Sequence, residues 1–536
     1  MTAVDSIQPL SGSCNGGIMT GASTSESIIE SARGPATGGR RTLVVAAVVV
    51  LAAAAGVVPW RSRGEDPPRR PAPATALPSE LYAADGTTLI ARFDTDEPQD
   101  SCLRASVNDW GYFCDYFVTW WRGQEAFGTD PAQRLERLRH GGYRVNGSLD
   151  PRLQAGAKQR VDATVPVSDP NVFSLAAIEP GTGLVRTMAA NRNFRRPAAA
   201  SRATGPTGDQ GDVLPAWRPA GPDVVDPLVS GSAETPGGAA GAPFMMFTLA
   251  AALDGGLTLD HEIDTKRVYQ SKYRIDPQNP VACDGGYWCP ANTGDPAYLS
   301  GRRTMWDAFG HSVVTYFVAL QERLGAERSV AMAQRLGIVF RSPQDQRLSE
   351  PADSRSWGAF TVGVSATTAL DLANAYATLA ADGTRCDPLP VTRVTDAAGR
   401  PIDGVGPRCE QALRTQVARA AIDAARCPVG DRSAFGDRCG AGTVATTTVH
   451  DTVGRPVAGQ SGLTSDRRGF SVVVAAPQLA TAGLIASPPA FDPGAAQLDA
   501  GVPEHAVGVV AGVAHDGLAP LPARDFTAPP RELAFA

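Results

Sequence analysis

The sequence predicts a mixed α/β fold of the α+β type, in which an antiparallel sheet is flanked by helices. With 536 residues, 43% of them hydrophobic, the chain can bury a sizeable core. Apolar residues recur at helical spacing in residues 244–253, 306–336 and 370–381, and a glycine follows or interrupts each run. Residues 470–475 and 480–485 are short apolar runs parted by a turn-like stretch, which predicts a hairpin. Helices followed by antiparallel strands indicate one mixed domain.

Charge argues against a nucleic-acid-binding function. Lys+Arg 49 against Asp+Glu 55 gives a net charge of −6, and the basic residues are scattered along the chain. Only three of the basic residues are lysines, namely Lys158, Lys266 and Lys272. Any chemistry that needs a lysine must therefore use one of these three.

Residues 42–60 predict a single membrane anchor. These nineteen residues carry no charge, have arginines on both sides and end in a tryptophan, and their length suits a bilayer span. A cleaved signal peptide is the alternative, because Ala52–Ala55 offers small residues, but about forty preceding residues are long for a basic leader. Because arginines flank both ends, charge does not fix the orientation of the span.

Cysteine number suggests which side of the membrane the folded part occupies. One of the nine cysteines, Cys14, precedes the span and eight follow it. An even number after an anchor predicts a disulfide framework on an oxidising, extracytoplasmic face, although eight reduced buried thiols remain an alternative. The simplest pairing is local: Cys102 with Cys114, Cys283 with Cys289, Cys386 with Cys409, and Cys427 with Cys439.

The sequence gives no reason to expect a metal or another cofactor. No Cys-x-x-Cys occurs, and the six histidines lie far apart without ligand spacing, so we interpret them as ordinary surface or core residues.

Composition also marks the segments between folded parts. Residues 1–41, rich in Ser and Gly, predict a disordered cytoplasmic tail, and residues 61–78, rich in Pro, predict a stiff extracytoplasmic spacer. We expect folded structure to begin near Leu81. Residues 197–243, dense in Gly, Pro, Ala and Asp, predict a long loop.

Several segments together resemble the penicillin-binding proteins, specifically the bifunctional glycosyltransferase–transpeptidase type of actinobacteria. Residues 102–116, with Gly-Tyr-Phe-Cys-Asp at 111–115, look like the segment between the two catalytic domains of such enzymes. Residues 141–154 resemble their linker signature, residues 178–188 the strand–turn–strand that opens the transpeptidase sheet, and residues 372–381 a signature helix.

The resemblance implies a penicillin-binding-protein/serine β-lactamase-like transpeptidase fold and a place in cell-wall synthesis. It divides the chain into a cytoplasmic tail (1–41), a transmembrane anchor (42–60), a Pro-rich spacer (61–78), a linker region (79–160), a transpeptidase-like domain (161–490) and a C-terminal extension (491–536). A glycosyltransferase domain has no room, because the interval between Gly86 and Cys102 is too short to fold alone.

Transpeptidation in this family needs a Ser-x-x-Lys on a helix, a Ser-x-Asn, and a Lys-Thr/Ser-Gly on the facing strand. The serine attacks the acyl donor and the first lysine accepts its proton. The run at 247–253 resembles the family sequence after Ser-x-x-Lys, and counting back places Ala242 at the nucleophile and Met245 at the base.

The other two motifs are also altered. The residues Thr-Tyr-Phe at 315–317 align Ser312, Val313 and Val314 with Ser-x-Asn, so valine replaces the asparagine. The residues Val-Ala-Gly at 457–459, with Thr464 beyond, align Gln460, Ser461 and Gly462 with Lys-Thr-Gly, so glutamine replaces the lysine.

No Ser-x-x-Lys exists anywhere in the chain, since the residues three before the lysines are Ala155, Ile263 and Tyr269. The sequence therefore predicts a pseudoenzyme with no catalytic residue. Ser312, Ser461 and Thr464 are expected to line the remaining groove, unless they are leftover hydroxyls of an inert cleft.

Three functions remain open at this stage. The first is a membrane-anchored, non-catalytic homologue that acts as a scaffold or as a module binding peptidoglycan or cell-wall synthesis proteins. The second is a D,D-transpeptidase that is weakly active through Ser312 or Ser461, or binds penicillin noncovalently. The third is an ectodomain for small molecules or lipids, with Met245 and Met246 in an apolar pocket, although core packing would also explain two methionines.

We expect the protein to be a single-pass component of the cell membrane. Residues 1–41 should lie inside, and everything after Trp60 should lie outside.

Overall fold

The computed structural model describes residues 77–196, 221–294, 296–298, 300–440, 448–486 and 497–536. Within these residues, no helix has the length and apolar character needed to cross a membrane. The predicted tail (1–41) and anchor (42–60) lie outside the described residues, as does most of the spacer (61–78). The first strand is Glu80–Tyr82, close to the predicted start of the folded part, and an isolated bridge from Leu77 to Gly141 precedes it.

Helices and strands are numbered here in chain order. The helices are α1 (Pro98–Cys102), α2 (Gly111–Arg122), α3 (Pro131–His140), α4 (Pro151–Thr164), α5 (Met245–Asp254), α6 (Met305–Gly310), α7 (Val314–Leu324), α8 (Ala326–Leu336), α9 (Pro343–Ser349), α10 (Ala369–Ala380), α11 (Thr415–Ala425), α12 (Val449–Val453), α13 (Val502–Leu518) and α14 (Arg531–Ala534). The strands are β1 (Glu80–Tyr82), β2 (Leu89–Arg92), β3 (Arg144–Gly147), β4 (Val172–Ile178), β5 (Val185–Ala190), β6 (Asn193–Phe194), β7 (Asp223–Val224), β8 (Gly238–Ala239), β9 (Ile263–Thr265), β10 (Ala282–Cys283), β11 (Tyr287–Trp288), β12 (Gly301–Arg303), β13 (Ala366–Thr367), β14 (Thr384–Cys386), β15 (Val391–Thr395), β16 (Cys409–Gln411), β17 (Ala458–Leu463), β18 (Gly469–Ala476) and β19 (Leu479–Ala486).

Several helices begin at residues that cap backbone N–H groups. Asp130, Asp150, Thr304, Ser342 and Thr368 each accept a hydrogen bond from a backbone N–H two or three residues further on. Proline follows directly at the start of α3, α4 and α9, where its missing N–H costs nothing. Local chemistry therefore fixes where these helices start.

A five-stranded antiparallel sheet in the order β17-β18-β19-β4-β5 forms the centre of the fold. All seven residues of β4 are buried, because helices cover both faces. Phe173 and Leu175 pack in the cluster that includes α4 and α13, whereas Ala176 and Ile178 pack in the cluster that includes α10. Burial on both faces explains why the sheet strands read as continuous apolar runs rather than as alternating patterns. The predicted hairpin is confirmed as β18 and β19.

Helix α5 lies at the centre of the helical side, against α7, α8 and α11. Nine of its ten residues are buried, and Gly255 ends it, as the apolar run and the glycine predicted. The apolar run at 306–336, interrupted by Gly325, predicts two helices, but the structure has three, because α6 and α7 are separate and α8 follows the break at Gly325. The extra break lies at Ser312, whose φ of 52° is left-handed and cannot continue a helix.

The predicted loop at 197–243 is only partly a loop. Its described part, residues 221–243, adds two short strands: β7 pairs with β6, and β8 pairs with β13. Gly237 permits the second pairing, because a Cβ there would lie 1.8 Å from the carbonyl oxygen of Thr367.

The segment before the central sheet builds a second, four-stranded sheet in the order β15-β3-β1-β2, covered by α1–α3. Its strand β15 comes from far along the chain. Helix α4 packs instead on the central sheet and on α13. The amide of Gln154 joins the two parts: its Nε2 donates to Asp109 Oδ2 (2.7 Å) and to the Met188 carbonyl (2.8 Å).

All four predicted local disulfides are present. Their Cα–Cα distances are 5.4 Å (Cys102–Cys114), 5.8 Å (Cys283–Cys289), 4.0 Å (Cys386–Cys409) and 5.1 Å (Cys427–Cys439). Cys14 lies outside the described residues.

We expect Gln154→Leu to lower the free energy of unfolding by about 2–4 kcal/mol, measured by urea denaturation. Leucine fills the same space but leaves the buried Asp109 carboxylate and the Met188 backbone groups without these hydrogen bonds. The control is Gln270→Leu at an exposed position, where a change within about 0.5 kcal/mol is expected. A loss below about 1 kcal/mol for Gln154→Leu would contradict a joining role.

A second stability prediction concerns Asp115 on α2. Burial raises its pKa to about 6, although the nearby Arg122 partly offsets the effect. The folded-state pKa exceeds the unfolded one, so ionisation costs stability as pH rises from about 4 to about 6. Asp115→Asn should raise the free energy of unfolding by about 2 kcal/mol at pH 8 and change little near pH 4. The exposed Asp403→Asn serves as control, and an equal gain for Asp115→Asn at both pH values would refute the assignment.

Candidate functional site

The three segments that the sequence analysis aligned with the family motifs meet where the start of α5, the turn between α6 and α7, and strand β17 come together. Strand β17 lies directly against the turn before α5. A Cβ at Gly462 would lie 2.2 Å from the Ala242 nitrogen and 2.9 Å from the Ala240 carbonyl oxygen, so only glycine allows this approach. Gly241, with φ 71°, lies against the Gly462 backbone from the other side.

Ala242 and Met245, the residues aligned with nucleophile and base, occupy different environments. Ala242 is half-buried in the short helical turn that precedes α5. Met245 is 1% exposed and belongs, with Met246, to the main hydrophobic core. Two surface cavities, of about 140 and 230 Å³, lie in other parts of the described fold. Neither is lined by Met245 or Met246. Core packing therefore accounts for both methionines.

Ser312 forms the turn between α6 and α7. Its φ of 52° is left-handed, a conformation that costs a non-glycine residue about 1–2 kcal/mol. The side chain is half-buried, and its hydroxyl donates to Gln460 Oε1 at 3.4 Å. The structure thus brings the serine of the second motif together with the glutamine of the third.

Val314 begins α7 and is half-buried in a small cluster with Tyr273 and Val362. The helix start is held by Asn292, which the sequence did not single out. Its Oδ1 accepts from the Thr315 N–H (2.9 Å) and its Nδ2 donates to Thr315 Oγ1 (2.8 Å). Valine at 314 thus contributes apolar packing where the family motif has an amide.

Gln460 is completely buried, and backbone groups fix its amide. Nε2 donates to the Phe309 carbonyl at 2.8 Å, and Oε1 accepts from the Ser461 N–H at 2.9 Å. The group is neutral and well hydrogen-bonded, so nothing in its surroundings calls for a cation.

Ser461 and Thr464 have different positions. Ser461 follows Gln460 on β17 and is half-buried. Thr464 belongs to the turn between β17 and β18, where its Oγ1 accepts from the Gly469 N–H (2.9 Å) and donates to Asp466 Oδ1 (2.5 Å). The hydroxyl of Thr464 therefore serves the turn, and no hydrogen bond joins it to Ser312 or Gln460 among the described residues.

A histidine that sequence reasoning treated as ordinary lies beside Ser312. His311 stacks on Tyr298 with ring centroids 3.5 Å apart, and its Nδ1 is 3.1 Å from Asp307 Oδ1. Arg303 pairs with the other oxygen of Asp307 at 3.0 Å. The spacing of four residues from Arg303 to Asp307 and from Asp307 to His311 was the available sequence signal.

Two of the three lysines have partners outside the site: Lys158 pairs with Asp162 on α4, and Lys272 Nζ donates to the Glu322 carbonyl. The third, Lys266, is exposed, and its backbone carbonyl accepts from Asn292 Nδ2 at 3.4 Å. Among the residues that the structure describes, no lysine or arginine side chain donates a hydrogen bond to Ser312, Gln460 or Ser461. The arrangement offers neutral hydrogen bonds, with no oxygen at position 242 and no amine at position 245.

Comparison with known proteins gives similarities in sequence and in fold. Residues 176–421 match the family model for the penicillin binding protein transpeptidase domain. A stretch of 216 residues, which is 40% of this chain, is 27% identical to "Penicillin-binding protein 1A" of Aquifex aeolicus. The match spans about a quarter (25%) of the length of that curated relative.

Solved structures show the same fold. PonA1 from Mycobacterium tuberculosis, in complex with penicillin V, has a TM-score of 0.53 at 20% identity and covers 78% of this chain and 97% of its own. Penicillin binding protein 3 from the same organism, in its apo form, gives 0.54 at 17% identity, with 85% and 99% covered. Penicillin-Binding Protein 1A from Haemophilus influenzae gives 0.57 at 11% identity, with 85% and 94% covered. The expected mixed α/β architecture is confirmed as the fold of these structures, and residues 176–421 are similar to the penicillin binding protein transpeptidase domain.

Proposed function

We propose that this protein is a membrane-anchored, non-catalytic homologue of the penicillin-binding proteins that binds peptidoglycan or a partner in cell-wall synthesis. One observation carries the proposal. Glycine contacts hold strand β17 against the start of α5, yet the side chain at that point is the methyl group of Ala242. Acyl transfer through a covalent intermediate needs a nucleophilic oxygen there, and alanine has none.

The environments of Met245 and Gln460 support the proposal. A lysine at 245 would place a cation in the hydrophobic core, and a lysine at 460 would lose the paired backbone bonds of the amide. The site is packed for neutral groups. Loss of nucleophile and base together removes most of the roughly 10⁶-fold catalysis in triad enzymes.

The backbone conformation of Ser312 favours the interpretation that the site binds a ligand over the interpretation that it has no function. Its left-handed backbone costs free energy that a glycine would avoid, and such strain clusters at functional sites. A half-buried hydroxyl in a fixed position suits recognition of a polar ligand.

The membrane location remains part of the proposal. It is supported by the uncharged stretch at 42–60 and by four disulfides after it, which are typical of an oxidising, extracytoplasmic side. We propose that residues 1–41 lie inside and the described residues outside.

The alternative function is a D,D-transpeptidase that is weakly active, or binds penicillin noncovalently, through a non-standard site. The observation in its favour is the half-buried Ser312 beside the His311–Asp307 pair. Against catalysis, the Ser312 hydroxyl donates to an amide oxygen, which cannot accept a proton as a general base.

We expect no covalent adduct when the full-length protein is incubated with a fluorescent penicillin and analysed by intact mass. Ala242→Ser alone should also stay unlabelled, because Met245 is no proton acceptor. The variant that combines Ala242→Ser, Met245→Lys, Val314→Asn and Gln460→Lys should acylate slowly, with a thermal melt as the control for folding. A stoichiometric adduct on the unmodified chain would contradict the proposal. If peptide mapping placed that adduct on Ser312 or Ser461, the alternative function would be established.

Two substitutions at Ser312 distinguish the cost of its left-handed backbone from the contribution of its hydroxyl to ligand binding. Ser312→Gly should raise the free energy of unfolding by about 1 kcal/mol, since glycine adopts φ of 52° without a Cβ clash. Ser312→Ala is the matched control, because it keeps the strain and loses only the hydroxyl. Both variants should bind purified peptidoglycan less well in a pelleting assay. Unchanged pelleting by both would show that Ser312 is a leftover hydroxyl.

A further inference from the structure

We propose that the cleft prefers a peptide whose terminus is an uncharged hydrogen-bond donor, such as a carboxamide, over one ending in a free carboxylate. The inference rests on the proposed peptidoglycan-binding function and names the ligand chemistry of the same site. The observation behind it is the hydrogen bond from the Ser312 hydroxyl to Gln460 Oε1, which decides whether Ser312 donates to a ligand or accepts from it.

The orientation of the Gln460 amide follows from its two backbone partners. A carbonyl oxygen can only accept, so the amide atom 2.8 Å from the Phe309 oxygen must be the nitrogen. A backbone N–H can only donate, so the atom 2.9 Å from the Ser461 nitrogen must be the oxygen. A flipped amide would place donor against donor and acceptor against acceptor. Oε1 is therefore the atom that faces Ser312.

The Ser312 hydroxyl has one proton, and it points towards Gln460 Oε1, 3.4 Å away. The hydroxyl oxygen then keeps its lone pairs available to a ligand N–H. A carboxamide N–H can donate to those lone pairs, whereas a carboxylate has only lone pairs of its own. To donate to a carboxylate, the Ser312 hydroxyl would have to turn away and break its hydrogen bond to Gln460. Gln460 Oε1 would then keep its partial negative charge without this donor.

No hydrogen-bonded basic side chain offsets this preference. Among the described residues, the hydrogen bonds of Ser312, Gln460 and Ser461 involve no lysine or arginine side chain. The nearest basic residue along α6 and its preceding strand, Arg303, is paired with Asp307 at 3.0 Å, and the same carboxylate is close to His311. A carboxylate in the cleft would lose water without gaining a cation, which is costly.

Ser461 does not distinguish the two ligands. Its half-buried hydroxyl can rotate and either donate or accept, because only its backbone N–H is committed to Gln460. The selectivity is therefore assigned to Ser312 and Gln460.

The test is calorimetric titration of the full-length protein with acetyl-lysyl-D-alanyl-D-alanine and with its C-terminal carboxamide. The two probes differ only in the terminal group. We expect the carboxamide to bind about ten-fold tighter, which corresponds to about one hydrogen bond to a ligand N–H. The preference should persist in about 0.5 M salt, which screens the general repulsion between an anionic peptide and a chain of net charge −6.

Variants assign the preference to the two residues. Gln460→Lys should reverse it, since an ammonium donates to Ser312 and frees the hydroxyl proton for a carboxylate. Position 460 is fully buried, so Gln460→Lys risks misfolding, and Ser312→Ala is therefore the second test variant. Ser312→Ala should bind the carboxamide and the carboxylate peptide with about equal affinity. Ser461→Ala is the matched control, which should weaken both peptides equally.

The outcomes separate the two proposals. Equal or tighter binding of the carboxylate by the unmodified protein would overturn this inference and leave peptide binding in place. Binding of neither peptide would also overturn it, and pelleting with purified peptidoglycan then decides the proposed function independently.

Discussion

The site depends on backbone-to-backbone contact between strand β17 and the turn before α5. Glycine makes this contact possible: a Cβ at Gly462 would lie 2.2 Å from the Ala242 nitrogen, and one at Gly363 would lie 2.2 Å from the Gly241 carbonyl oxygen. The hydroxyl of Ser471 on β18 donates to the Ala240 carbonyl at 2.6 Å and anchors the turn to the sheet. These contacts join the central sheet to the helical side, so the relation between Ala242 and Gln460 is set before any side chain in the cleft is considered.

Within this frame, each altered side chain suits a neutral, packed site. Met245 lies in the core, Val314 packs with aromatic and aliphatic neighbours, and Gln460 satisfies backbone groups that a lysine would leave unpaired. Catalytic sites commonly carry desolvated charges at a cost in stability, and substitutions that remove them often stabilise the fold at the expense of activity. The three side chains are therefore mutually consistent, because each is accommodated without a charged partner.

The sequence predicted those features that depend on local pattern. The helix at α5, the β18–β19 hairpin and the four short-range disulfides follow from apolar periodicity, glycine stops and cysteine spacing. It missed the break at Ser312, although Gly310 ends α6, because the left-handed position itself carries neither glycine nor proline. It also missed the pairing of β15 with β3, which joins residues far apart in the chain, and the role of Asn292 at the start of α7. Motif alignment named Ser312 and Gln460, but only the fold shows that they touch and which amide atom faces the serine.

The polarity of the cleft is set by residues behind it. The Phe309 carbonyl, which orients Gln460, lies near the end of α6, and that helix is fixed through Trp306, whose Nε1 donates to the buried Asp423 (2.8 Å). The same carboxylate accepts from the Ser433 hydroxyl at 2.6 Å and so holds the 431–439 loop. Immediately after Phe309, Gly310 lies against the Cys427–Cys439 disulfide, since a Cβ there would be 3.0 Å from the Cβ of Cys427. These supports restrict the direction of the Phe309 carbonyl, which restricts the Gln460 amide and in turn the Ser312 hydroxyl. The proposed selectivity at Ser312 thus originates in a buried network and a disulfide that support α6 and the Phe309 carbonyl.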